Sequence, residues 1–190
     1  MLFDLVKKNR SYRRFATDVS IDLETLRELV NLARLSASAS NRQPLKFVLS
    51  ADPERNARIF PCLGWAGYLD NWDKPAEDER PTAYVIIVGD KKIRRNFGVD
   101  HGIAAQSIML GAAERGLGGC MIGSIDRPTL RDTLELPERY EILLVLALGK
   151  PAETVVIDPV DETGDIRYWR DDQDVHHVPK RSLDTLILEI

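Results

Sequence analysis

The stretch "GIAAQSIMLGAAERGLGGCMIGS" (residues 102–124) decides how the rest of the chain is read. Residues 102–116 are apolar almost all round at helical spacing and end on glycine. Such a helix belongs in a core or in a contact between subunits, not on a wet surface. The segment "GGCMIGS" that follows reads as a buried strand. Towards the C-terminus, "RPTLRDTL" (127–134) predicts a short helix and "EILLVLALG" (141–149) a second buried strand. Towards the N-terminus, "TAYVIIVGD" (82–90) is apolar on both faces, which predicts a central strand in a covered sheet. "LKFVLS" (45–50) is a further strand. The helix before it, "IDLETLRELVNLARLSA" (21–37), carries a cap at Asp22 and a staple between Ile21 and Leu26. Its apolar stripe is Leu26, Leu29, Val30 and Ala33.

Composition narrows the class. A chain of 190 residues, 44% hydrophobic and 29% charged, is ordinary for a soluble globular protein with one real core. The formal net charge of -4 argues against nucleic acid as the main partner. Cys62 and Cys120 stand far apart and fit neither a disulfide framework nor a metal spacing, as expected of a reducing, cytoplasmic setting. "MLFDLVKKNR" carries charges too early for a secretory signal. The longest clean apolar run, Ile142–Leu148, is far shorter than the roughly 20 residues needed to span a bilayer, so no membrane association is expected.

Four segments could carry chemistry. "NRSYRRF" (9–15) sets Arg10, Arg13 and Arg14 beside Ser11, a group suited to a phosphate or equally to a solvated basic turn. "SASASNRQPLKF" (36–47) holds more polar side chains than a turn needs. Ser38, Asn41 and Gln43 can read the edge of a planar heterocycle, or simply bond the local backbone at a helix end. In "GLGGCMIGS" (116–124), Gly116 and Gly118 suit a helix end and a turn, while Gly119 and Gly123 have no such reason. The spacing is not a dinucleotide fingerprint. "HHVPKR" (176–181) adds Lys180 and Arg181. Adjacent histidines in an extended chain point to opposite faces, and nothing completes a metal site, so no metal is expected. No nucleophile-elbow pattern supports Ser/His/Asp catalysis.

Taken in order, Arg10-Ser11-x-Arg13-x-Phe15, Ser38-x-x-Asn41-x-Gln43-Pro44, the helix running into Gly116-Leu117-Gly118-Gly119-Cys120, Leu148-Gly149-Lys150-Pro151 and a basic C-terminal element together resemble the FMN-dependent nitroreductase family. The likeness runs from about residue 3 to residue 181. It implies an α+β fold: a nitroreductase-like three-layer α/β/α sandwich with a mostly antiparallel central sheet. It also implies a single domain over 1–190, whose residues from about 155 to 190 form an arm wrapping the partner of a homodimer. Two FMN molecules would lie at the subunit interface, with NADH or NADPH as reductant and the chemistry at flavin N5 rather than on a protein acid or base.

By the same resemblance, Arg10 and Ser11 meet the FMN phosphate and ribityl chain, and Arg13 lies near the pyrimidine side of the ring. Ser38, Asn41 and Gln43 reach the flavin across the interface. Met121, Ile122 and Gly123 pass its reactive face, and Lys180 and Arg181 lie at the phosphate end. Asn9 stands where the family often has arginine, and Ala37 where proline often precedes the serine. The long connection "GWAGYLDNWDKPAEDERP" (64–81), with Trp65, Tyr68 and Trp72, is expected to border the acceptor pocket, or else to be a surface loop held by one anchoring aromatic. The acceptor would be a small electrophile such as a nitroaromatic or a quinone. The alternatives are a flavin-binding sensor or store without turnover, and a nucleotide-binding module.

The tail from "KPAETVVIDP" (150–159) onward is punctuated by Pro and Asp and regains a helical pattern only at "SLDTLILEI" (182–190). Lacking a core-forming period, it needs something to pack on, and a partner subunit is one answer. A chain stopped near residue 155 is expected to lose dimerisation and FMN together. Sedimentation and the flavin-to-protein ratio on one preparation check this, and a truncated dimer that keeps its flavin would contradict it.

Overall fold

The segment expected to be central is central: Ala83–Asp90 is buried at every position. The computed structural model describes residues 1–69 and 72–188. In chain order the elements begin α1 (Leu2–Lys8), β1 (Phe15–Ala16), α2 (Leu23–Leu35), β2 (Leu45–Ser50), α3 (Pro53–Ile59) and β3 (Ala83–Asp90). They continue with α4 (Asp100–Glu114), β4 (Gly118–Ile122), α5 (Arg127–Thr133), β5 (Tyr140–Pro151), β6 (Val155–Pro159), β7 (Trp169–Arg170) and β8 (His176–Lys180).

The main sheet runs β1-β5-β3-β2, and β4 also pairs with β5; every pairing in it is antiparallel. Side chains alternate across it as the pleat requires. Ala83, Val85 and Ile87 face α2 and α4, joined by Leu146 and Leu148. Tyr84, Ile86 and Val88 face the other way, against Ile59 of α3 and Leu130 of α5. The result is three layers with two cores. A bulge between Ile87 and Val88 moves the β5 partner from Leu144 to Ile142. The extra residue puts Ile142 on the same face as Val145 and Ala147, where an unbroken alternation would have opposed them.

Asp22 caps α2 by accepting from Thr25 N at 2.7 Å, and Ile21 and Leu26 are both buried in the first core. The α2 and α4 helices approach closely at Gly111, where a Cβ would fall 2.2 Å from Leu32 Cδ1. Helix α4 is buried on one side only. Val99, at 71% exposure, and Ile103 stay open, and α1 buries no residue at all, leaving Leu2, Phe3 and Val6 outside. These are apolar groups without cover in one chain.

The tail departs from expectation in two ways. It builds a second, three-stranded sheet, β6-β8-β7, with β6 and β8 parallel. The expected C-terminal helix does not form over 182–188: a turn closes there instead, with Leu186 N donating to Leu183 O and Thr185 Oγ1 to Ser182 O. Residues 189 and 190, the end of that pattern, lie outside the described residues. Aspartates at 158, 161, 165, 171 and 174 offer strong turn-forming carboxylates, and Asp171 accepts from both Gln173 N and Val175 N.

Candidate functional site

The basic segment after α1 is held to β4 by the backbone. Tyr12 N donates to Gly119 O at 2.9 Å, and Ser11 forms a parallel bridge with Gly119. This contact explains the glycines. A Cβ on Gly118 would fall 2.5 Å from the Tyr12 ring, and one on Gly119 2.2 Å from the Ala147 carbonyl oxygen. Both are glycine so that protein segments can lie close, rather than a ligand. Gly123 differs. A Cβ there meets nothing within 4 Å, so no neighbour in this chain demands glycine at that position.

Two adjoining cavities result. The first, about 300 Å³, is lined by Arg10, Ser11, Arg13, Gln106, Met121 and Lys180, with Tyr168 and His176 closing it from the tail. The second, about 290 Å³, is lined by Arg13, Trp65, Gly67, Met121, Ile122 and Gly123. Arg13 and Met121 belong to both. Trp65 is held at this wall because Leu63 bridges Ile125 and Gly64 N donates to Ser124 O at 2.9 Å. Ile122 keeps its side chain in the second core, so only its backbone can serve a ligand.

Arg13 is the best-fixed of the cations. It is buried; its Nη1 donates to Ser11 O at 3.3 Å and lies 3.2 Å from His176 Nε2, while the guanidinium sits 4.6 Å from the Tyr168 ring centroid. Its backbone N donates to Glu153, which also accepts from Arg14 N at 3.1 Å and from Arg170 Nη2 at 2.7 Å. The Glu153 side chain is only 1% exposed. His176 is held low, at about 4, by burial first and then by Arg13, Arg170 and His177, so its ring is neutral near pH 7. His177 points to the opposite face, as adjacent strand residues must. There it stacks on Trp169 at 4.1 Å and bonds Asp158 (2.6 Å) and Asp171 (3.3 Å). Cys120 lines the second cavity, but burial raises its thiol pKa despite Arg13 nearby, so it is no nucleophile.

The remaining sequence-derived candidates fall elsewhere. Ser38 and Gln43 line a separate cavity of about 220 Å³ that shares no lining residue with the other two. Ser38 Oγ donates to the buried Asp100 carboxylate at 2.7 Å and accepts from Gln43 N at 2.9 Å, so the local-bonding reading accounts for that hydroxyl. Asn41 Oδ1 accepts from Gln43 Nε2 at 3.1 Å. Ser40, Asn41 and Gln43 all have positive φ, near 50°, a costly backbone for residues other than glycine. Tyr68 and Trp72 border a further recess with Arg14, Trp169 and Arg170, separate from the cavity that holds Trp65 and Gly123. Asp70 and Asn71 of that loop lie outside the described residues. Arg181 is exposed and lines none of these cavities. Sequence reasoning missed Glu153 and Gln106. No local pattern marks a lone glutamate whose partners lie about 140 residues away.

The residues fit an anionic, planar cofactor such as FMN. Arg10 Nε and Arg13 Nε are buried without a partner among the described residues, so donors remain for an anion beside the first cavity. The second cavity adds an indole wall and the open face of Gly123.

Comparison with known proteins agrees with this geometry. A model of the nitroreductase family matches residues 6–150. An NADPH-flavin oxidoreductase of Vibrio harveyi is 26% identical over 167 residues, covering 82% of this chain and 68% of that protein. Among solved structures, an FMN-dependent nitroreductase from Clostridium difficile R20291 superposes with a TM-score of 0.66 at 24% identity, covering 80% of this chain and 88% of the other. A nitroreductase family protein from Streptococcus pneumoniae TIGR4 superposes over 100% of both chains, with a TM-score of 0.73 at 17% identity.

Glu153→Ala should cost about 3–5 kcal/mol, because it strands the Arg170 guanidinium and two backbone N–H groups in a buried setting. Urea unfolding measures it. A loss under about 1 kcal/mol would mean that water or another carboxylate takes its place.

Proposed function

Because the chain belongs to the nitroreductase family, we propose that it is an FMN-dependent oxidoreductase taking hydride from NADH or NADPH and passing it to a small electrophilic acceptor, such as a nitroaromatic or a quinone. The single observation that carries this reading is the pair of adjoining cavities sharing Arg13 and Met121, one lined with cations and the other with an indole and bare backbone. FMN, when bound, supplies the hydride transfer at its N5. Arg10, Ser11 and Lys180 bind the phosphate end, where guanidinium forks and a hydroxyl suit its oxygens. Arg13 sets a fixed positive charge beside the pyrimidine side of the ring, favouring the anionic reduced form. The backbone of Met121, Ile122 and Gly123 would pass the reactive face, used by reductant and acceptor in turn, with Trp65 as a side wall. No protein acid or base is required.

The protein acts as a homodimer in this reading. Three facts support it: α1 buries nothing in its own chain, Val99 just before α4 and Ile103 on it stay exposed, and the Ser38–Gln43 cavity is separate from the cationic one. A second chain would cover the apolar groups and bring its Ser38, Asn41 and Gln43 to the flavin.

The purified protein should be yellow, with bands near roughly 370 and 450 nm that bleach anaerobically on adding NADH or NADPH. A colourless protein would point to the nucleotide-binding alternative, and a stable yellow colour under both reductants to a flavin store. Arg13→Ala should lower the potential of bound flavin and slow its reduction by on the order of a hundredfold. Unchanged potential and rate, with FMN retained, would remove Arg13 from this role.

The loop aromatics divide by cavity. Trp65→Ala should raise KM for bulky acceptors severalfold, while Trp72→Ala should leave it near wild type. Steady-state kinetics with a nitroaromatic and a quinone checks this; the reverse pattern would move the acceptor to the recess lined by Trp72.

A further inference from the structure

His176 is 1% exposed, sits in the tail, and touches the guanidinium that the proposed function places at the flavin. An arginine side chain only donates, so the 3.2 Å contact between Arg13 Nη1 and His176 Nε2 obliges Nε2 to accept. The imidazole proton must then sit on Nδ1, and Nδ1 is buried with no partner among the described residues. The other tautomer would set Nε2–H against the Arg13 N–H, donor facing donor, so the contact with Arg13 fixes where the proton sits. Here the ring leaves Nδ1–H unpaired and holds Arg13 instead. Its surroundings keep the lone pair available, since Arg13 and Arg170 are cations and burial disfavours a third. The Tyr168 ring packs on both Arg13 and His176, so the tail grips the guanidinium from two directions.

We propose that His176 is the positioning residue of Arg13, its Nε2 acting as the acceptor that fixes the guanidinium against the two cavities. The inference rests on the flavin reading for its effect on cofactor, though not for the hydrogen bond itself. His176 acts through Arg13. It exchanges no proton in the reaction and serves as orienting acceptor in one tautomer. The arrangement also gives the tail a role inside its own chain, because residues 168–176 complete the cation's surroundings.

Two measurements test it separately from the proposed function. Two-bond 15N–1H correlation spectra of the cofactor-free protein report the tautomer directly. A proton on Nδ1 is expected, and one on Nε2 would overturn the proposal whether or not FMN binds. FMN titration followed by flavin fluorescence, with the midpoint potential of the bound flavin, then compares His176→Gln, His176→Asn and His176→Leu. Glutamine carries an acceptor at about the Nε2 position, whereas asparagine reaches only as far as Nδ1. His176→Gln should stay close to wild type. His176→Leu and His176→Asn should bind FMN about tenfold or more weakly, as for loss of one hydrogen bond to a charged group, and with a lowered potential. A glutamine variant that is folded yet as weak as leucine would reduce His176 to a packing residue, as would a leucine variant indistinguishable from wild type. Failure of the wild-type protein itself to bind FMN would overturn the flavin reading and leave the tautomer result to decide the hydrogen bond.

Discussion

A single buried carboxylate ties the site together. Glu153 lies just past the end of β5 and receives the backbone N–H groups of Arg13 and Arg14 and the guanidinium of Arg170. Three distant segments therefore meet on two oxygens: the basic turn after α1, the end of the main sheet, and the tail. The cluster also has a sign. The Arg170 guanidinium is paired with Glu153, whereas the buried Arg13 guanidinium meets Ser11 O, the neutral His176 and the Tyr168 ring, leaving its positive charge without a carboxylate partner among the described residues. Such a cluster is poorly stabilised alone and favours an anion in the cavity it borders.

The main sheet contributes distance rather than chemistry. The bare backbone of Gly118 lets the Arg10–Arg13 segment run against β4, and that of Gly119 lets β4 lie close on β5, so that β4 leads directly to Met121 and Gly123. The cationic end of the site and its flat wall thus follow from one pairing between two short segments. The wall at Trp65 is built differently, by the Leu63–Ile125 bridge and the loop it carries.

Much of this was legible in the residues. The all-buried β3, the cap at Asp22 and the strand at 45–50 each follow from a local period or a local side-chain bond, which a sequence displays openly. The basic turn stood out because three arginines and a serine fall within five residues, and Lys180 because it follows a rigid proline beside a second cation. Other features depend on contacts that have no local pattern. Glu153 looks like any surface glutamate, the two-residue strands β1 and β7 are too short for a period, and His176 shows its role only once the tail folds back on Arg13. Division of the loop aromatics between two recesses was equally hidden, because Trp65 is placed by a bridge to residue 125 and Trp72 by Arg170. The expected C-terminal helix failed for the opposite reason. Its leucine spacing was real, but no described surface of the chain covers Leu183, Leu186 or Leu188.

The left-handed turn at Ser40, Asn41 and Gln43 has a consequence for anyone who would stabilise this protein. Left-handed backbone costs non-glycine residues roughly 1–2 kcal/mol each, less for asparagine, and glycine at Ser40 or Gln43 would recover part of that. A screen ranking variants by melting temperature alone would therefore favour such glycines. Each would delete a polar side chain from a loop that keeps three of them against their backbone preference, and thermal tolerance would rise as the Ser38–Gln43 segment lost hydrogen-bonding groups.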